Sequence, residues 1–200
     1  MVMDSRTRLV EATQDLLWEQ GYSATSPKDI MRRSGAGQGS MYHHFTNKQE
    51  LAVEALERSA LSMRHDAEKL LAADGSACEI ATAYLRRQRD VLKGCRMGRM
   101  TFDADVLNTP ELIEPVKRTF VWLLEALTVL FERGRDQGEF AADIDARNLA
   151  SLVVATVQGG YVLARATRDV DAFDAAVEGA AALLRKATEP LITEVSDHSE

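Results

Sequence analysis

Six consecutive residues, Gln38-Gly39-Ser40-Met41-Tyr42-His43, gather an amide, a hydroxyl, a phenol and an imidazole around a glycine. Carried on a short helix, such groups can hydrogen-bond the edges of nucleobases, while the glycine lets a backbone come close. The flanking Ser26-Pro27-Lys28-Asp29 and Asn47-Lys48 add hydroxyl and ammonium groups of the kind that hold phosphates. Enzyme chemistry has no comparable support. G-A-G-Q-G-S at Gly35–Ser40 follows no strand and lacks the lysine of a phosphate loop, and no hydrolase elbow or zinc signature occurs. Cys78 and Cys95 form no CxxC pair and have no metal-ligand spacing with a histidine, so no metal or other cofactor is expected.

Those groups work only if something holds them outward. The chain reads as helices throughout, an all-α fold of about nine, because Ala, Leu, Glu and Arg dominate and no segment alternates with period two. Leu9, Thr13, Leu16 and Leu17 share one face of a first helix over Ser5–Glu19, which Gly21 ends. Ser26, Pro27 and Asp29 cap a second, short helix ending at Ser34-Gly35; a third covers Ser40–Phe45. Gly35 suits the tight turn between them, and Ile30, Met31, Met41 and Phe45 are spaced to pack both onto the first helix. Asn47 and Glu50 then start a long helix to Leu71. Further helices are expected at Cys78–Leu92, Met100–Leu107, Thr109–Gly134, Ala146–Thr167 and Asp171–Thr188, before Pro190 and a tail expected to fray. Residues 1–50 form a compact three-helix unit and 51–200 a larger helical one.

The formal net charge is −7, yet residues 1–50 balance six basic against six acidic side chains, so residues 51–200 carry all of it. Between Pro27 and Lys48 the local charge is +3, a basic segment on an acidic body. The opening M-V-M-D-S-R-T-R-L-V-E is charged where an export signal needs an apolar stretch, and no apolar run approaches the roughly 18 residues that span a bilayer. A cytoplasmic chain with free thiols and no membrane contact is expected.

The stretch S-P-K-D-I (Ser26–Ile30), Y-H-H-F (Tyr42–Phe45) and N-K-Q-E-L (Asn47–Leu51) resembles the TetR family of helix-turn-helix regulators, with the family's spacing kept without a gap over about residues 5–55. The resemblance implies a ligand-responsive transcriptional regulator, commonly a repressor released from a palindromic double-stranded DNA operator by a small-molecule inducer. By that resemblance Ser26, Tyr42 and Lys48 anchor phosphates, Lys28 reaches a phosphate or a base, and Gln38, Gly39, Ser40 and His43 line the groove; His44 is turned away. The chain departs from the family in having Gly37 where Ser is common and Gln38 where Lys is common, which removes one hydroxyl and favours adenine as a partner. The alternative is a helical protein-interaction module without sequence-specific DNA binding, in which Tyr42 and His43 merely cover the helix packing.

Beyond the head, G-C-R-M-G-R-M-T-F-D at Gly94–Asp103 resembles a subgroup with a G-C-x-x-G turn. The family's inducer pocket lies among the central helices, which makes Met97, Met100, Phe102, Trp122, Gln158 and Tyr161 candidate lining residues, each with plain core as the competing role. Arg96, Arg99 and Asp103 are a polar rim or a surface turn, and Cys95 an oxidant sensor or an inert thiol. The family's four-helix dimer contact implies a homodimer through the last two helices. The stripes Leu149, Leu152, Val153, Val157 and Phe173, Val177, Ala180, Leu183, Leu184 then face a second copy, or alternatively only their own core. Gly159-Gly160 suits a close helix crossing or a pocket wall.

Overall fold

The computed structural model describes residues 4–188, and among them it contains ten helices and no strand. Pro190 and the residues after it lie outside the described range. The head comprises α1 (Ser5–Gln20), α2 (Pro27–Ser34) and α3 (Gln38–His44), with the start of α4 (Lys48–Leu71). The remainder is α5 (Ala77–Arg86), α6 (Arg96–Met100), α7 (Ala104–Asn108), α8 (Pro110–Asp136), α9 (Ala146–Thr167) and α10 (Asp171–Ala187).

Local chemistry sets most of these boundaries. Ser26 and Asp29 form a complete capping box on α2, Pro27 supplies its first position, and Gly35 ends it in the left-handed conformation at φ 66°. Asn47 accepts from the Glu50 amide at 2.9 Å and starts α4. Ser76 and Glu79 repeat the box on α5. Two expectations are corrected. The segment expected as one helix over Met100–Leu107 is two, because Asp103 accepts from the Asp105 and Val106 amides and caps a fresh start. The helix expected to reach Leu92 stops at Arg86, where Arg89 folds back to donate to the carbonyls of Tyr84, Leu85 and Arg87.

Two cores result. The body core packs α5, α8, α9 and α10 around Leu85, Leu127, Phe131, Val153 and Leu184. The head core gathers Leu9, Ile30, Met41, Phe45 and Leu51, and extends beyond residue 50 to Met97, Met100, Val106, Leu112 and Val116. Head and body therefore share a wall. Trp18 of α1 donates its indole N–H to the Gly94 carbonyl at 2.9 Å, with the cations of Lys93 and Arg96 at 4.7 and 4.0 Å from its ring.

A second tie crosses the same junction. Asp103 accepts from the Ser23 backbone N–H at 2.9 Å and from its hydroxyl at 2.6 Å. Burial raises the Asp103 pKa, but the hydrogen bonds from Ser23 outweigh it and hold the carboxyl below its ordinary range. A depressed carboxylate contributes stability that is present above its unfolded pKa and lost as pH falls through the folded one. Asp103→Asn should therefore lower Tm at neutral pH, and the gap to wild type should close as the pH drops below about 4. A gap that persists unchanged at pH 3 in thermal melts would show that the charge plays no part in this tie.

The outer faces of α9 and α10 are unusual. Of the expected dimer stripes, Val153, Val157, Phe173, Val177, Ala180 and Leu184 are buried in the chain's own core; only Leu152 and Leu183 are exposed and Leu149 is half-buried. A different seam faces outward: Leu152, Ala155, Gly159, Val162, Leu163 and Ala166 on α9, and Ala175, Gly179 and Leu183 on α10. Gly160 packs inward, where an added Cβ would meet the Phe173 ring at 2.8 Å, whereas one on Gly159 or Gly179 would meet nothing within 4 Å. The expectation that no segment is apolar enough for a bilayer is also corrected: α9 passes by length and composition. One face of α9 is buried against α8 and α10, as in the core helix of a helical bundle.

Candidate nucleic-acid interface

The helix pair stands as the spacing implied. Ile30, Met41 and Phe45 are buried against α1, whereas Gln38, Gly39, Tyr42 and His43 are exposed and Ser40 half-buried. Tyr42 is 49% exposed, which is high for a phenol that could have packed on the surface. His44 turns away and shares a hydrogen bond with the Ser5 hydroxyl at 2.9 Å. Gly37 and Gly39 have ordinary backbone angles, and a Cβ on either would meet nothing within 4 Å. Neither the fold nor its packing requires glycine there. A body outside the chain that approaches α3 closely would.

The side chains expected to hold phosphates differ in how far their own chain already engages them. The Ser26 hydroxyl donates to the Asp29 carboxylate at 2.5 Å and accepts from the Asp29 amide at 3.2 Å, so both of its roles are taken by the α2 cap. Lys48 donates to the carbonyls of Tyr22 and Thr25 at 3.1 and 3.0 Å and lies 3.8 Å from the Tyr22 ring centre. Burial pulls its pKa below the ordinary lysine range, despite Asp105 and Asp103 nearby. Lys48 is thus a clamp on the α1–α2 turn, with one hydrogen of its three left to offer. Arg32 pairs with Asp29 and Arg33 with Glu19, solvent-screened pairs that a phosphate can displace. Lys28 is exposed and has no hydrogen-bond or ion-pair partner among the described residues.

The expected pocket residues do not meet in one place. Met97 and Met100 are fully buried in the head core. Phe102 is 77% exposed beside Arg99 and Arg165, and Trp122 lies in a separate cleft under the Arg64 guanidinium. Gln158 and Tyr161 alone share a cavity, of about 380 Å³, with Trp18, Tyr84, Arg87, Arg89 and Phe120. Cys95 borders it, accepting the Gly98 N–H at 3.2 Å; Cys78 is buried.

Two family models match this chain. Residues 9–55 match bacterial regulatory proteins of the tetR family, and residues 75–180, more than half the chain, match the tetracyclin repressor-like C-terminal domain. The chain belongs to the TetR family. It is 25% identical over 173 residues to the HTH-type transcriptional regulator YxaF of Bacillus subtilis, covering 83% of this chain and 87% of that one. The HTH-type transcriptional repressor ComR of Escherichia coli is 25% identical over 175 residues, covering 80% and 79%. A TetR regulator from Chloroflexus aurantiacus superposes with a TM-score of 0.80 at 28% identity, over 90% of this chain and 93% of that one. A Saccharomonospora viridis regulator solved in complex with choline superposes at 0.77 and 17% identity, over 90% and 94%, and shows the shared fold.

As a TetR regulator the chain is a DNA-binding transcription factor and not an enzyme. Composition and spacing did not mark Trp18, Arg87 and Arg89 as cavity residues. Trp18 lies in the head by sequence, and Arg87 and Arg89 fall within the helix expected to reach Leu92, beyond its true end at Arg86. The stop at Arg86-Arg87, where two cations end α5, was the signal available.

Proposed function

We propose that this TetR regulator is a ligand-responsive repressor that binds a near-palindromic operator as a homodimer. Two copies place α3 in successive major grooves about 34–36 Å apart. Gln38, Gly39, Ser40 and His43 face the bases, Tyr42 and Lys28 hold phosphates, and Arg32 and Arg33 join them by leaving weak pairs. Ser26 and Lys48 act from behind, fixing the cap of α2 and the α1–α2 turn. The observation that carries this reading is the exposed turn at Gly37–Gly39, where nothing inside the chain calls for glycine. A reader of operators works in the cytoplasm, beside the chromosome.

The two outward seams on α9 and α10 support dimerisation through the last two helices. Leu152, Ala155, Gly159, Val162 and Ala166 recur at intervals of three and four, the spacing of a helix–helix seam. The outward helix glycines Gly159 and Gly179, each costing about 1 kcal/mol against alanine, are explained if a second copy's helices pack onto them. The cavity of about 380 Å³ supports an inducer site, because Trp18 of the head forms part of its wall. A ligand that favours a different position of Trp18 lowers DNA affinity, and DNA lowers ligand affinity by the same factor. That a regulator of this fold holds choline is consistent with a small-molecule effector.

DNA selected by the purified protein from a random pool should yield an inverted repeat; recovery of no enriched sequence would defeat the reading and leave the interaction module. On the selected operator, Lys28→Ala should flatten the slope of log affinity against log salt by about 1 with no loss of fold. Lys48→Ala should also lower Tm, since it loosens the turn. A Lys48→Ala protein as stable as wild type would contradict the clamp.

A further inference from the structure

The charges around the cavity of about 380 Å³ are out of balance where the chain buries them. Three arginines line it. Arg96 pairs with Asp15 at 3.3 Å. Arg89 is held by the carbonyls of Tyr84, Leu85 and Arg87, at 2.6 to 2.8 Å, all neutral acceptors, and its Nε is buried with no acceptor. Arg87 lies over the Tyr84 ring, 4.7 Å from its centre. Neither Arg87 nor Arg89 has a carboxylate partner among the described residues. The cavity's two carboxylates, Asp66 and Asp90, are both exposed to water, and Asp90 is drawn to Lys93.

Removing a cation from water without a counter-charge is costly. Here burial, and after it the neighbouring Arg87, pull the Arg89 pKa below the ordinary guanidinium range. An entering anion offsets both effects. Tyr161 is pushed up to about 12 by burial, so its hydroxyl stays neutral at working pH and can donate to an anion instead of repelling it. Trp18, Phe120, Leu123 and Val157 give the cavity an apolar lining as well. A quaternary ammonium would meet the wrong charge.

We propose that this cavity binds an organic anion with a flat apolar body, its charge held by Arg87 and Arg89. This inference rests on the reading of the cavity as the effector site. The test uses the full chain and two dyes with one ring skeleton: 1-anilinonaphthalene-8-sulfonate, an anion, and N-phenyl-1-naphthylamine, its neutral counterpart. Fluorescence titration should give one site per chain, with the anion bound at least about tenfold more tightly, as expected for a charge-assisted contact. Arg87→Gln should bring the two affinities within about twofold by weakening the anion alone. Because Arg89 also holds the end of α5, Arg89→Lys, which keeps the charge, is the companion variant and should retain the preference. Equal affinities in wild type, or a preference untouched by Arg87→Gln, would overturn the anion assignment while leaving the cavity a ligand site. Failure of both dyes to bind would instead overturn the reading of the cavity itself.

Discussion

Replacing Gly39 with leucine is expected to weaken operator binding by at least about a hundredfold, nearly 3 kcal/mol, while leaving Tm unchanged or slightly raised. Mutations that remove binding this completely usually damage the fold as well, and here the two effects separate. A Cβ at Gly39 meets nothing within 4 Å, and the residue's φ is ordinary, so leucine enters α3 without strain. Helix propensity favours the change by no more than about 1 kcal/mol. Against DNA the sign reverses. A branched side chain on the first turn of α3 occupies the space in which Gln38 and Ser40 must reach base edges, and it holds the helix away from the groove. Anisotropy titration on the selected operator, beside a thermal melt of the same protein, measures both quantities. Near-wild-type affinity would place the first turn of α3 outside the groove.

The double substitution Leu163→Glu with Leu183→Glu is expected to leave a helical monomer at micromolar concentration and to lower operator affinity by about a hundredfold or more. Both leucines are more than half exposed in the single chain, at 51% and 59%, so their exchange removes little from the monomer's own core. In a two-fold contact each substitution appears twice, which brings carboxylates into an apolar seam where they must be desolvated. Losing the dimer also turns the second half-site contact from an intramolecular event into a bimolecular one, a change worth about 10² to 10⁴ in avidity. Sedimentation analysis with circular dichroism separates dissociation from unfolding. A dimer that persists would move the interface off these helices.

The two halves of the chain differ in how openly their sequence speaks. In the head, the Ser26 cap, the Gly35 turn and the buried trio Ile30, Met41 and Phe45 are local signals, and each is found where the spacing put it. The same locality misleads about side-chain roles. Ser26 and Lys48 have types that suit phosphates, but Asp29 and the carbonyls of Tyr22 and Thr25 reach them first, and the carbonyls come from a turn distant in sequence. The body is set by tertiary packing. Apolar periodicity marks Val153, Val157, Phe173 and Val177 equally well for an inner or an outer face, and only the neighbours α8 and α5 decide for the inner. Met97 and Met100 appear as pocket walls until the head is placed against them. Arg87 and Arg89 gain their meaning from α5 ending early, a boundary set by Arg89 turning back on three carbonyls.

The shared wall between head and body limits how such a regulator can be re-engineered. Because Met97, Met100, Val106, Leu112 and Val116 complete the core beneath α1 and α4, a chimaera joined at residue 50 would set a borrowed reading head on methionines shaped for another surface. The graft that respects this seating is far smaller. It exchanges the outward residues of α3, Gln38 through His43 with Met41 kept, and so would retarget the protein to a new promoter without disturbing the junction at which Trp18 meets the Gly94 carbonyl.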